Sequence, residues 1–400
     1  MRLAAAVVGA FLWAPEAKPA AGGKGAGGGL IFVGGAGCDA DDSHCARVTE
    51  DAGGTVWGFS LTPEHTLEPA LNVSVPSLSA WLTAAPEAPR CLFAVLVLEN
   101  KVAAFEVSGS TATPRGDPVP SGGVNPVFAS VSKDGGVLLA ANYHGPDNAT
   151  ESRGASVASF KIADDCSLTP AAVVPHDGSS VVHGRQDSAH PHCIVSARGG
   201  VAYACDLGQD IIFTYGVAAD GGLEERHRVH VAKGDGPRHL VEHPTKPLAF
   251  VVNELTSTVA TYAIQGDGKL ELKAHVSTLP RGAPLEGTKA AEIAVAPGGS
   301  IVYASNRGLH NTICVLRVYG DGTLKQIQQV HVPAYPRGMA LAPDGTVLLV
   351  AGQHRGVMQA FNVKADGRLS STGEPVTTAP TAATIAFVQT GGMEPTVITS

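Results

Sequence analysis

The sequence predicts an all-β fold, a seven-bladed β-propeller of four-stranded antiparallel blades. Three observations predict it: a hairpin tetrad that returns about every 50 residues, apolar runs of strand length between turns, and no segment with a sustained helical period. The tetrad is Asp-Gly-x-Leu, at Asp220-Gly-Gly-Leu223, Asp267-Gly-Lys-Leu270, Asp321-Gly-Thr-Leu324 and Asp366-Gly-Arg-Leu369, with the leucines 47, 54 and 45 residues apart. Degenerate copies lie at Leu168, in ADDCSL, and at Leu67, in PEHTL; the 101 residues between these two span two repeats. Glycine accepts the positive φ that a tight primed turn requires, so Asp-Gly between alternating apolar runs closes a hairpin.

Within a repeat the order is constant: apolar run, Pro/Asp/Gly turn, second apolar run, polar loop, aromatic-bearing run, hairpin. IAVAPGGSIVYASNRG followed by TICVLRVYGDGTL shows it. The ring must also close. Leu30-Ile31-Phe32-Val33 precedes the first repeat and Thr384-Ile385-Ala386-Phe387-Val388 follows the last hairpin, so the two are expected to share one blade and remove the free edges. The propeller then occupies residues 30–390, with a signal-like or disordered segment at 1–29 and a tail at 391–400. Residues 38–51 and 142–155 read as polar insertions exposed at the surface.

Composition narrows the function classes. Hydrophobic residues reach 44% and charged residues only 16%, which suits many short buried strands and excludes disorder for most of the chain. With 28 basic and 36 acidic residues the net charge is −8, and no basic run is interleaved with aromatics, so nucleic acid is not an expected partner. The seven cysteines show no CxxC pair and no zinc-ligand spacing, so no disulfide framework is implied; Cys38 and Cys45 are either free thiols or a small closed loop. Arg2 followed by the apolar run 3–14 has the length and charge of a leader core and is too short to span a bilayer, so no membrane role is expected. Pro15 and Glu16 spoil a cleavage pattern. Cytoplasmic residence is the default expectation, and secretion or an organelle follows if the segment is a targeting peptide. The chain is expected to act as a monomer or weak homo-oligomer.

In a propeller the start of each innermost strand and the end of the second strand lie at the same mouth of the central channel. The first set carries Asn125-Pro126, His190-Pro-His192, Gly236-Pro-Arg238-His239, Ala290-Ala-Glu292 and Tyr335-Pro-Arg337. The second carries Asn142-Tyr143-His144, Asp206-Leu-Gly208, Asn253-Glu254, Asn306-Arg307 and Gln353-His354. An isolated Arg or Asn beside a turn is ordinarily solvated or caps the backbone. Five consecutive blades bringing ionisable groups to one opening point instead to a site for a polar, anionic ligand. Asp206 and Asn253 are short enough to serve simply as caps between blades.

From about Pro126 to Phe361 the ordered motifs HPH, DLGQD, GDGPRHL, NEL, AAEI, SNRG and YPRG resemble the lactonase-type seven-bladed propeller family, which includes bacterial 6-phosphogluconolactonase and carboxy-muconate cyclase-like proteins. The first two blades, with PSLSAWL and VLVLEN, depart from the family pattern. The resemblance implies hydrolysis of a sugar lactone, first of all 6-phosphogluconolactone, or a muconate-type lactonising cyclisation.

The residues offer a chemistry for it. Opening a lactone needs an activated water, a donor or cation at the carbonyl oxygen, and a proton for the leaving alkoxide. Glu292 is the expected general base, with Glu254 in reserve. Arg238 and Arg307 suit the oxyanion or a carboxylate, and His190, His192 or His239 a proton relay. Arg337 and Arg185 suit a phosphate, and Asn142 and Asn306 complete the expected substrate contacts. A metal site built from His190, His192, Glu254, Asp206 and Glu292 is disfavoured, because the surrounding arginines repel a cation. A non-catalytic propeller that binds an anionic sugar or a protein is the reading from another class. No dinucleotide fingerprint, P-loop or GxSxG elbow occurs, so no cofactor and no serine acyl-enzyme are expected.

Overall fold

A computed structural model describes residues 29–35, 54–75, 77–85, 90–144, 154–378 and 381–389. The expected tails, the Cys38–Cys45 question and residues 145–153 lie outside these. Seven antiparallel sheets form the ring. In blade 1 the innermost strand is Ala382–Gln389, paired with Gly29–Gly35, so the chain's two ends share one blade and no sheet edge is left open at the seam. The other innermost strands are Ser79–Ala84, Pro126–Val131, Pro191–Ala197, Pro237–Glu242, Thr288–Val295 and Pro336–Leu341, for blades 2 to 7. Blades 2 and 7 each break their outermost strand into two short pieces. Among the described residues the only helical element is a 3₁₀ turn at Gln353–Arg355.

Second strands such as Val137–Asn142, Val201–Asp206 and Leu248–Asn253 are buried at every residue, because neighbouring blades cover both their faces. This is why they read as unbroken apolar runs. Fourth strands such as Leu223–His230 alternate between exposed and half-buried positions, having one face in water. Hydrogen bonds staple neighbouring blades on the side away from the mouth. Tyr203 Oη donates to the Gly268 carbonyl of blade 5, and Tyr303 Oη to that of Gly367 in blade 7, each at 2.9 Å. Burial pushes both phenols up to about 12, so they remain donors at any ordinary pH.

Two expectations are corrected here. A disulfide does join described cysteines: Cys91, in blade 2, is bonded to Cys166, in blade 3, with 5.4 Å between their Cα atoms. The segment 142–155 is not exposed at its described ends, where Asn142, Tyr143, His144 and Ala155 are all buried.

Every innermost strand also carries a β-bulge at its mouth end, which sequence periodicity does not reveal. The register of each inner pair slips by one residue there, leaving Ala383, Ala80, Val127, His192, Arg238 and Arg337 as the extra residues of blades 1, 2, 3, 4, 5 and 7. In blade 6 the slip falls between Ala290 and Ile293, and Glu292 N–H donates to Ser305 Oγ at 2.8 Å. In a regular strand successive side chains point to opposite faces. The bulge is what lets consecutive residues such as Arg238 and His239 serve the same site.

Candidate active site

Glu254 follows the second strand of blade 5 and is 1% exposed. Its Oε1 accepts from Arg185 Nη2 at 2.7 Å; its Oε2 accepts from Arg238 Nε at 3.1 Å and from Arg307 Nη2 at 2.9 Å. One carboxylate thus ties together a loop before blade 4, the bulge of blade 5 and the second strand of blade 6. Burial alone would raise its pKa, but Arg307, Arg185 and Arg238 hold it well below the usual carboxylate range. This corrects its reserve role as a base: a carboxylate so stabilised binds a proton too weakly to activate water.

Arg238 also donates from Nη1 to the Ala291 carbonyl at 2.7 Å. Burial and the adjacent Arg307 lower it to about 10, which leaves it cationic at neutral pH. The Arg307 guanidinium lies 5.1 Å from the centre of the Tyr335 ring, and that ring stacks on His354 at 4.1 Å. Arg337 is half-buried nearby, and its charge contributes to lowering His192, Arg238 and His239. Three arginines on Glu254 and Arg337 nearby outnumber the two glutamates of the mouth, Glu254 and Glu292, so the mouth is positive within a chain whose net charge is −8.

Beside this cluster runs a chain of three side chains from three blades. His239 Nδ1 donates to Glu292 Oε1 at 2.8 Å, and His239 Nε2 meets His192 Nδ1 at 3.2 Å. Glu292 Oε2 is buried and has no hydrogen-bond partner among protein atoms. Glu292 and His239 line a channel cavity of about 220 Å³, walled by Trp81, Phe128, Met339 and Ile385. Trp81 and Phe128 pack against the His239 ring at centroid distances of 5.2 and 4.9 Å. Burial lowers His239 to about 4 and, with the charge of Arg238, takes His192 well below its ordinary value.

Both imidazoles are therefore neutral when folded, whereas the unfolded chain protonates them below pH 6.5. The unfolded state binds more protons between 6.5 and about 4, so stability falls as pH drops through that window. Urea titrations at pH 7 and pH 5 should differ by on the order of 1–3 kcal/mol. An unchanged stability would contradict buried neutral rings.

Three other expected site residues are placed elsewhere. His190 is fully buried; it stacks on Tyr143 at 4.3 Å and donates from Nδ1 to the Tyr143 carbonyl at 3.0 Å, behind His192. Asn142 Nδ2 donates to Ser121 O and Ser156 Oγ, and Asn306 Nδ2 to Thr278 O and Thr312 Oγ1. Both amides tie second strands to the preceding inter-blade loop, a correction to their expected place against substrate. Asp206 does the same work, accepting from His190 N–H, Gln209 N–H and His176 Nδ1. With Asp206 and Glu254 so engaged, the five residues of the metal reading do not converge; among the described residues no three His, Cys, Asp or Glu side chains form a cage. Trp81 and Phe128 went unread as site residues in the sequence. Trp81 and Phe128 share the inner-strand position of His239, two residues past the residue that opens each inner pair, so aligning the inner strands is the signal that finds them.

The family model described as lactonase, 7-bladed beta-propeller, matches residues 44–387. The chain belongs to this lactonase family. A 6-phosphogluconolactonase of Formosa agariphila is 30% identical over 270 residues, covering 64% of this chain and 72% of that protein. A 6-phosphogluconolactonase of Cronobacter sakazakii is 27% identical over 328 residues, covering 80% and 90%. The solved structure of a periplasmic gluconolactonase from Pseudomonas aeruginosa superposes with a TM-score of 0.76 at 25% identity, over 90% of this chain and 99% of that one. As a lactonase, the protein is a carboxylic-ester hydrolase by class. The lactonase match takes in the divergent blade 2 and most of blade 1, where the sequence motifs are faint.

Proposed function

We propose that this lactonase hydrolyses an anionic sugar lactone, with 6-phosphogluconolactone as the substrate, and that Glu292 is the general base. The observation that carries the assignment is the asymmetry of the Glu292 carboxylate: Oε1 is fixed by His239 and by its own strand's Ile293 N–H, while Oε2 has no protein partner at the channel cavity. A water held on Oε2 gives its proton to the carboxylate as its oxygen attacks the lactone carbonyl carbon. The oxyanion that forms is met by the Arg238 and Arg307 guanidinium groups, already oriented by Glu254. As the ring C–O bond breaks, Glu292 returns the proton from Oε2 to the leaving alkoxide, giving the open acid. The neutral His239 ring keeps its Nδ1–H on Oε1, so the carboxylate takes up and returns the proton at Oε2. Arg337 and Arg185 lie on the positive rim, where they suit a phosphate. Trp81 and Phe128 offer apolar faces to the C–H bonds of a sugar ring.

Two lines support the sugar lactone class: the names of the curated relatives and the P. aeruginosa gluconolactonase. The phosphorylated substrate rests on the arginine count and on the relatives' names alone. The test is the rate of 6-phosphogluconolactone opening against that of unphosphorylated gluconolactone, each corrected for spontaneous hydrolysis, with and without EDTA. Fast turnover of the phosphorylated lactone that EDTA leaves unchanged is expected. Preference for gluconolactone would overturn the phosphate assignment, and no turnover of either would shift the reading to a muconate-type cyclisation or to binding alone.

A further inference from the structure

In blades 4 to 7 the outer hairpin turns on a glycine at positive φ: Gly221 at 90°, Gly268 at 86°, Gly322 at 88° and Gly367 at 85°. These turns plug into the seam with the preceding blade. A Cβ built on Gly268 would meet Val201 at 3.3 Å, one on Gly322 would meet Leu248 at 3.6 Å, and one on Gly367 would press into Ile301. Val201, Leu248 and Ile301 are the opening residues of the second strands of blades 4, 5 and 6. At these three seams the position is thus an aliphatic side chain against a bare glycine, while Gly221 of blade 4 meets Ala171 instead.

The seam between blades 2 and 3 departs from this on both sides at once. Cys166 stands where the tetrad has glycine, in the same left-handed region at φ 69°, which a side chain adopts only at a cost. Opposite it is Cys91, the opening residue of the second strand of blade 2, in the place of Val201, Leu248 and Ile301. The two are bonded and are 1% and 0% exposed. Proximity of thiols in this protein does not suffice for a bond: Cys193 and Cys205 face one another across two strands of blade 4 and both are free.

We infer that Cys91–Cys166 is a dedicated cross-link between blades 2 and 3 and that this protein matures in an oxidising compartment. The inference is independent of which lactone is used. Such compartments form and keep structural disulfides, whereas a glutathione-buffered cytosol keeps thiols reduced. To form the bond the two thiols give up two protons and two electrons, and the disulfide of a protein oxidant or of oxidised glutathione is reduced to two thiols. The bond spans 75 residues, so it removes a large share of the unfolded chain's freedom. Its burial keeps reductants away while the ring is folded, which marks it as structural and not as a switch.

The test begins with the full chain taken from its own cells, acid-quenched and alkylated before digestion. A linked Cys91–Cys166 peptide is expected; both cysteines recovered alkylated would overturn the inference. A second measurement compares melting with the variant Cys91→Val/Cys166→Gly, which introduces the pair used at the seams between blades 4 and 5, 5 and 6, and 6 and 7. Unfolding the wild type in reductant should lower its Tm by about 5 °C. The variant should keep wild-type lactone turnover and a Tm that reductant does not move. A wild-type Tm equally indifferent to reductant would show that the bond does not stabilise the ring.

Discussion

Replacing Glu292 by glutamine is expected to lower kcat by about 10³-fold, the range that a positioned general base contributes, while product affinity changes by no more than about threefold. Glutamine keeps the volume and can still accept from His239 Nδ1, so the aromatic packing around that ring is retained. What it loses is the ability to take a proton at Oε2. Steady-state rates on the lactone, set beside calorimetric binding of the open acid, separate the two effects. If turnover survives while binding is intact, Glu292 is not the base and His239 does not act by holding one.

Removing Glu254 should damage the fold before the chemistry. Glu254→Ala leaves Arg185, Arg238 and Arg307 facing one another without their shared counter-charge, and Arg238 and Arg307 are almost wholly buried. Breaking a buried ion pair from one side costs about 3–5 kcal/mol, a large share of the roughly 5–15 kcal/mol that holds an ordinary domain folded. Chemical denaturation reads it directly. A loss under about 1 kcal/mol would mean that the guanidinium groups find water or other acceptors, and that their orientation does not depend on this carboxylate.

The repeat was legible because its punctuation is chemical: a tight turn needs glycine, and the Asp-Gly-x-Leu tetrad marks it blade after blade. Closure was legible from two apolar strands left over at the ends. The bulges were not, since a register slip of one residue leaves no trace in an apolar run, and only pairing shows that Arg238 is the extra residue beside His239. The disulfide was hidden for a related reason. Cys166 sits in a tetrad so degenerate that it served as a spacing marker, and its partner lies 75 residues away. At the site, residue types and their convergence could be read, but not their allegiances. Glu254 and Glu292 are both glutamates at the mouth; one is consumed by three arginines from separate stretches of chain and the other keeps an oxygen free. Asn142 and Asn306 occupy the right strand ends, yet their short amides reach only the preceding loop and the adjacent third strand.

The ring of bulges separates what recognises from what supports. Each blade offers one extra inner-strand residue whose identity the sheet's hydrogen bonding does not dictate, and its neighbours in the ladder stay paired whatever side chain it carries. In this chain His192, Arg238 and Arg337 occupy three of these places, while Ala80, Val127 and Ala383 leave the blades on the other side uncharged. Descendants of such a scaffold can therefore change ligand by rewriting single letters around a dial, one blade at a time, without renegotiating the core.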